Sequence, residues 1–108
     1  MSQWYPLCPL NAILPETGVC ALVGDLQVAI FRPANNDQLF ALCNIDPFAQ
    51  ASVLSRGLIA EHQQTLWVAS PLKKQHFRLS DGFCLEDESM SIASYPVRVS
   101  QGIIEVFA

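Results

Sequence analysis

Apolar runs of strand length, cut at short intervals by turn-forming residues, constrain this chain more than any other feature. Val19 to Val23 ends at Gly24-Asp25 and Leu26 to Arg32 follows at once, which predicts a tight hairpin. In the second run Leu26, Val28, Ile30 and Arg32 alternate with Gln27, Ala29 and Phe31, so both faces are partly apolar. Pro33-Ala34-Asn35-Asn36-Asp37 is a loop rich in turn formers. Leu39 to Ile45 is almost continuously apolar, the mark of a strand covered on both sides. Leu58 to Ala60 and Leu66 to Ala69 flank Glu61-His62-Gln63-Gln64-Thr65 as a second hairpin, and Gln75 to Leu79 turns at Asp81-Gly82. Ile92 to Val99 and Ile103 to Phe107 are joined through Ser100-Gln101-Gly102. Short strands with turns about every 8–12 residues predict an all-β, antiparallel sandwich or barrel. Only Leu10 to Leu14 and Ala49 to Ser55 leave room for short helices.

No linker or repeat divides the 108 residues, so a single domain, 1–108, is expected. Charged residues make up 15% of the chain, against about 25% in typical proteins. So little charge leaves apolar surface that suits a subunit of a larger assembly. The net charge of -4 argues against nucleic-acid binding, which needs clustered Lys and Arg. No apolar run approaches the roughly 20 residues that span a bilayer. Met1-Ser2-Gln3-Trp4 has neither a basic region nor an apolar run, and Cys8, Cys20, Cys43 and Cys84 are scattered without a Cys-x-x-Cys. Reduced thiols and a cytoplasmic location are the expectation.

Residues able to carry catalysis are few. His62 and His76 are the two imidazoles, with His76 and Arg78 expected to face away from a core that takes Phe77 and Leu79. A Cys–His pair meeting in space stays open. There is no nucleophile elbow, phosphate loop or zinc spacing, and no catalytic residue is expected in this chain. The charge pattern says more. Lys73, Lys74 and Arg78, three of the six basic residues, fall within six positions, while acids gather at Glu86-Asp87-Glu88. Each lysine alone reads as a solvated side chain; the group, with Arg56, reads equally as a docking surface for a partner.

Four segments carry a family resemblance: Asn44-Ile45-Asp46-Pro47-Phe48, Leu54-Ser55-Arg56-Gly57, Ser70-Pro71-Leu72-Lys73-Lys74 and Phe77-Arg78-Leu79 with Gly82. Their order resembles a Rieske iron–sulfur domain, with its Asn-x-Cys-Pro-His loop, Leu-x-x-Gly turn, Cys-Pro-x-His-Gly loop and Phe-x-Leu strand. The resemblance implies an antiparallel β fold with an inserted two-loop subdomain at about 44–79. It places Asp46 and Ser70 at the cysteine positions, and Phe48 and Lys73 at the histidine positions. A Rieske centre needs two thiolates and two imidazoles. Phe48 has no donor atom, Lys73 is an ammonium, and the oxygens of Asp46 and Ser70 suit such a cluster poorly. These are therefore read as vestigial ligand positions, with no cofactor and no metal expected here. Phe48 is either a filler packed on Pro47 and Pro71 or an anchor for a partner.

Across its length the chain resembles the small subunits of bacterial cytoplasmic NAD(P)H-dependent nitrite reductases. That wider likeness rests on Trp4-x-x-x-Cys8, Leu14-Pro15-Glu16-Thr17-Gly18-Val19-Cys20-Ala21-Leu22, Gln27-Val28-Ala29-Ile30-Phe31-Arg32 and Ser52-Val53-Leu54-Ser55-Arg56-Gly57, besides the loops above. It implies a large-subunit partner that carries FAD, an iron–sulfur cluster and siroheme and reduces nitrite to ammonium with NADH. This chain would then be a non-redox accessory subunit in nitrate assimilation or nitrite detoxification, docking through Phe48, Arg56, Lys73, Lys74 and Arg78. Two other readings are a Rieske-type ferredoxin electron carrier and a β-barrel interaction module of another complex.

Overall fold

Strand β3 (Leu26–Arg32) contains four consecutive residues, Val28 to Phe31, that are wholly shielded from solvent. Neighbouring side chains on a strand point to opposite faces, so the sheet that holds β3 is covered on both sides. Val28 and Ile30 enter a first core with Ile13, Val23, Leu39, Ala41, Ile104 and Val106. Ala29 and Phe31 enter a second core with Leu42, Leu54, Val68, Phe77, Leu79 and Cys84. Burying a side chain the size of Phe31 or Phe77 stabilises the fold by about 1.5–3 kcal/mol relative to leaving it exposed.

The structure, a computed structural model, describes residues 2–108, and within them the strands form four antiparallel sheets. The central sheet runs β10 (Ser94–Tyr95), β4 (Phe40–Cys43), β3 and β2 (Thr17–Val23). A terminal sheet of β1 (Trp4–Pro9), β12 (Ile103–Phe107) and β11 (Val97–Ser100) closes the first core through Ile104 and Val106. A third sheet of β7 (Leu58–His62), β8 (Thr65–Ala69) and β9 (His76–Arg78) closes the second through Val68 and Phe77. Between central and third sheets lies the two-stranded pair β5 (Ile45–Asp46) and β6 (Ala51–Ser52) in chain order. The fold is all-β and antiparallel, as the strand pattern anticipates.

Several elements differ from the sequence expectation. Strand β1 forms although Pro6 and Pro9 interrupt its pattern. It is tolerated because β1 is an edge strand, paired with β12 alone and with its register broken between Pro6 and Cys8. The Leu10 to Leu14 helix reduces to one 3-10 turn at Leu10–Ala12. Ala49 to Ser55 forms no helix. Ala51 and Ser52 pair with Asp46 and Ile45, and a 3-10 turn follows at Leu54–Arg56. The run Leu39 to Ile45 breaks at Asn44, and Ile92 to Val99 breaks at Pro96, which has no N–H to give a ladder. Gly57 ends the Leu54–Arg56 turn where a Cβ would lie 2.3 Å from the Ala69 carbonyl oxygen, so this turn can sit against β8 only with glycine.

Candidate functional site

The two loops at the end of the third sheet are built on buried polar side chains. Asn44, 1% exposed, donates from Nδ2 to Ser52 Oγ at 2.7 Å and accepts at Oδ1 from the Ser55 N–H at 2.7 Å. Its carbonyl oxygen accepts from the N–H groups of Val53 and Leu54, both at 3.0 Å. One asparagine thus fastens the first loop to the Leu54–Gly57 turn. Asp46 is fully buried, and burial requires that its oxygens find donors. Oδ1 accepts from Phe48 N–H at 2.8 Å and Ala49 N–H at 3.3 Å, and Oδ2 accepts from the Ser70 hydroxyl. Ser70, 1% exposed, belongs to the second loop, so this bond ties the loops together across 24 positions of sequence.

The second loop closes on itself. Ser70 N–H donates to the Gln75 carbonyl at 2.9 Å, and Lys74 N–H to the Ser70 carbonyl at 3.2 Å. Closure puts Lys74 at φ 68°, the left-handed region, which costs an L-residue about 1–2 kcal/mol. In the Rieske loop pattern this position is the glycine after the second histidine. The tip that results presents Leu72, Lys73 and Lys74, all exposed.

The cysteine positions of the resemblance are therefore hydrogen-bonded to each other through Asp46 and Ser70. Phe48 is half-buried against the second core, its ring 6.3 Å from that of Phe77 and tilted by 54°. Lys73 points its ammonium-bearing chain into solvent. A carboxylate with its oxygens already satisfied, a hydroxyl, a hydrocarbon ring and an ammonium do not fit a [2Fe–2S] cluster. Among the described residues no group of three or more His, Cys, Asp or Glu is placed to hold a metal ion.

The basic residues divide. Arg56 and Lys74 line one groove of about 200 Å³ with Leu58, Ala69, Ser70 and Pro71, and Lys73 stands beside Lys74 at the loop tip. Arg78 lines a different depression, with Gln38, Phe40 and Asp81. Its guanidinium forks onto Asp81 (Nε–Oδ1 2.9 Å, Nη2–Oδ2 2.7 Å) and stacks 4.8 Å from the Phe83 ring. The side-chain hydrogen bond from Arg78, outweighing partial desolvation, holds the Asp81 carboxyl below its usual range. Arg78 thus differs from the lysines in its setting: it sits on β9, past the loop, and is paired with Asp81 three residues on.

The histidines face as their strand pattern predicts. Phe77 and Leu79 are buried while His76 and Arg78 are half-buried on the other side. His76 Nδ1 lies 2.7 Å from Glu86 Oε2, and its N–H donates to Oε1 at 2.8 Å. Partial desolvation pushes the Glu86 carboxyl up, but the two bonds from His76 prevail and hold it below the usual range. Cys84 Sγ is 3.9 Å from the same carboxylate and is fully buried, so its thiol is shielded from solvent, while the His76 and Glu86 side chains are part-exposed. The four cysteines are free. The exposed apolar residues Leu58 (78%) and Leu72 (55%), beside the Arg56–Lys74 groove, escaped the sequence reading, although each is a large apolar residue next to a loop motif.

A family model described as the Rieske-like [2Fe-2S] domain matches residues 3–107. The chain is 66% identical over 106 residues to the nitrite reductase (NADH) small subunit of Escherichia coli (strain K12), covering 98% of each protein. It is also 39% identical over 103 residues to a nitrite reductase [NAD(P)H] large subunit of Klebsiella oxytoca, spanning 95% of this chain but 11% of that protein. The NMR structure of the E. coli protein NirD superimposes with a TM-score of 0.93 at 65% identity, over 100% of this chain and 98% of that one. Full-length identity, a matching fold and the family model together place this chain in the family of NADH-dependent nitrite reductase small subunits, built on a Rieske-like domain.

Proposed function

We propose that this chain is a non-redox accessory subunit that docks on the large nitrite reductase subunit and supports it without holding a redox centre. The observation that carries the reading is the Asp46–Ser70 bond, which closes the two loops on each other with protein groups alone. Loops closed in this way form a rigid end, and the contacts on offer there are the half-exposed edge of Phe48, Arg56, Lys73 and Lys74. Arg78, paired with Asp81, stays outside this set. The Klebsiella relative supports a large-subunit partner, since a stretch equivalent to this domain occurs within that longer chain. FAD, an iron–sulfur cluster and siroheme belong, in this reading, to the large subunit. The holoenzyme reduces nitrite to ammonium in the cytoplasm, where the free thiols of this chain remain reduced, for nitrate assimilation or nitrite detoxification.

Two measurements test this. Anaerobically purified protein should be colourless and bind no stoichiometric iron or sulfide; a visible cluster spectrum returns the ferredoxin reading. Arg56, Lys73 and Lys74 changed together to Glu should leave the fold intact and slow association with the large subunit, most strongly at low salt. Association at the wild-type rate with unchanged salt dependence would place the interface elsewhere.

A further inference from the structure

The outer face of the third sheet holds a second surface of different character. Val68 and Phe77 point into the second core, so their strand neighbours Trp67, Ala69, His76 and Arg78 point outward. Register aligns Leu58, Ala69 and His76 in one row across this face, and Ala60, Trp67 and Arg78 in the next. A groove of about 380 Å³ runs over it, lined by Ala60, Glu61, His62, Trp67, His76 and Leu85. Its floor is apolar and both histidines of the chain stand at its walls. Leu58, in the first row, and Leu85, at the rim, are 78% and 55% exposed. A lone exposed leucine is ordinary, but Leu85 rims a groove that also holds Ala60 and Trp67, the tryptophan 8% exposed with the Arg78 guanidinium 5.8 Å from its ring.

The charge around this groove is opposite to that of the loop end. Glu61 lines it, Glu86 is bound to its wall at His76, and Asp87 and Glu88 follow in the exposed chain. The one arginine in the rows, Arg78, is paired with Asp81. Leu58 and Ala69 line the Arg56–Lys74 groove while His76, in the same row, lines this one, so the two surfaces adjoin through that row. We propose that this face is a second docking surface for the large subunit, and that it takes an apolar segment carrying lysine or arginine. The inference rests on the proposed docking of this chain to the large subunit and adds the chemistry of a second contact. A surface cationic at one end and acidic at the other accepts a complementary partner in one orientation and penalises the reverse.

The test uses the purified large subunit and full-length small subunit. Ala60→Arg with Leu85→Arg fills the groove with cations and should weaken the dissociation constant about tenfold or more, with the melting temperature of the free chain unchanged. Glu61→Lys should slow association and reduce its salt dependence. With fluorinated tryptophan incorporated, the resonance that survives Trp4→Phe belongs to Trp67 and should shift when the large subunit is added. An unchanged dissociation constant with an unshifted Trp67 resonance overturns the groove; docking at the loop end still stands if Arg56, Lys73 and Lys74 to Glu weakens binding. Absence of any complex with the wild-type chain overturns both. If the arginine variant instead abolishes self-association in sedimentation runs and leaves large-subunit binding untouched, the occupant is a second copy and the proposal is wrong.

Discussion

Removing the Ser70 hydroxyl isolates the bond on which the loop architecture depends. In Ser70→Ala, Asp46 Oδ2 remains fully buried and loses its donor, while Oδ1 keeps the N–H groups of Phe48 and Ala49. Hydrogen bonds to charged groups contribute about 1.5–3 kcal/mol, and an orphaned buried acceptor adds its own desolvation cost, so the loss should be roughly 2–3 kcal/mol. For a domain of this size that lowers the melting temperature by roughly 10–20 °C. Asp46→Ala should cost at least as much, because it orphans two N–H donors as well as the hydroxyl. The double variant should then be scarcely worse than Asp46→Ala alone, giving a coupling of about 1.5 kcal/mol or more. Urea unfolding of the four proteins measures the cycle, and equal m-values keep it interpretable. A coupling under about 0.5 kcal/mol would mean that the loops are held by packing, and the reasoning from Asp46 and Ser70 would fail.

Three further outcomes follow from the same geometry. Phe48→Ala should lower stability by roughly 2 kcal/mol, about half the cost at a fully buried phenylalanine, because its ring is half-buried against Phe77; thermal melts of the free chain check this. Lys74→Gly relieves about 1–2 kcal/mol of left-handed strain against about 1 kcal/mol of added chain entropy. Its urea midpoint should hold or rise slightly while association with the large subunit slows; a clear fall in midpoint contradicts the strain. Asp81 has a depressed carboxyl, so its pairing with Arg78 stabilises the fold above the unfolded carboxyl value of 3.8 and is lost as pH falls through the folded value. The stability gap between wild type and Asp81→Asn should therefore be present at neutral pH and close in acid.

Residues that act through local pattern were legible in the sequence, and those that act across the fold were not. The double burial of Val28 to Phe31 follows from an apolar run that alternation alone cannot bury on one side. The outward placement of His76 follows from the period of a strand. The edge strand β1 was hidden because its prolines are acceptable only where one side of a strand goes unpaired, a fact of sheet order. The bond between Asp46 and Ser70 joins loops that neither local propensity nor spacing relates. Arg78 lines a different depression from Lys74, a separation that closeness in sequence does not reveal. Arg78-x-x-Asp81, a pair of opposite charges three apart, was the signal that could have separated it.

The retained loop shape has a physical use without metal chemistry. In the iron–sulfur pattern, coordination fixes both loops; here Asp46 and Ser70, at two of those positions, join them by a hydrogen bond. A buried carboxylate is unfavourable unless donors converge on it, and two backbone N–H groups and a hydroxyl do so at Asp46. That convergence favours one loop conformation over the many that would leave the carboxylate unsatisfied. The exposed tip of Leu72, Lys73 and Lys74 is thereby ordered before any partner arrives. Association loses about 0.5–1.5 kcal/mol for each rotamer-rich side chain that must be immobilised, and an ordered backbone keeps that loss from including the loop itself.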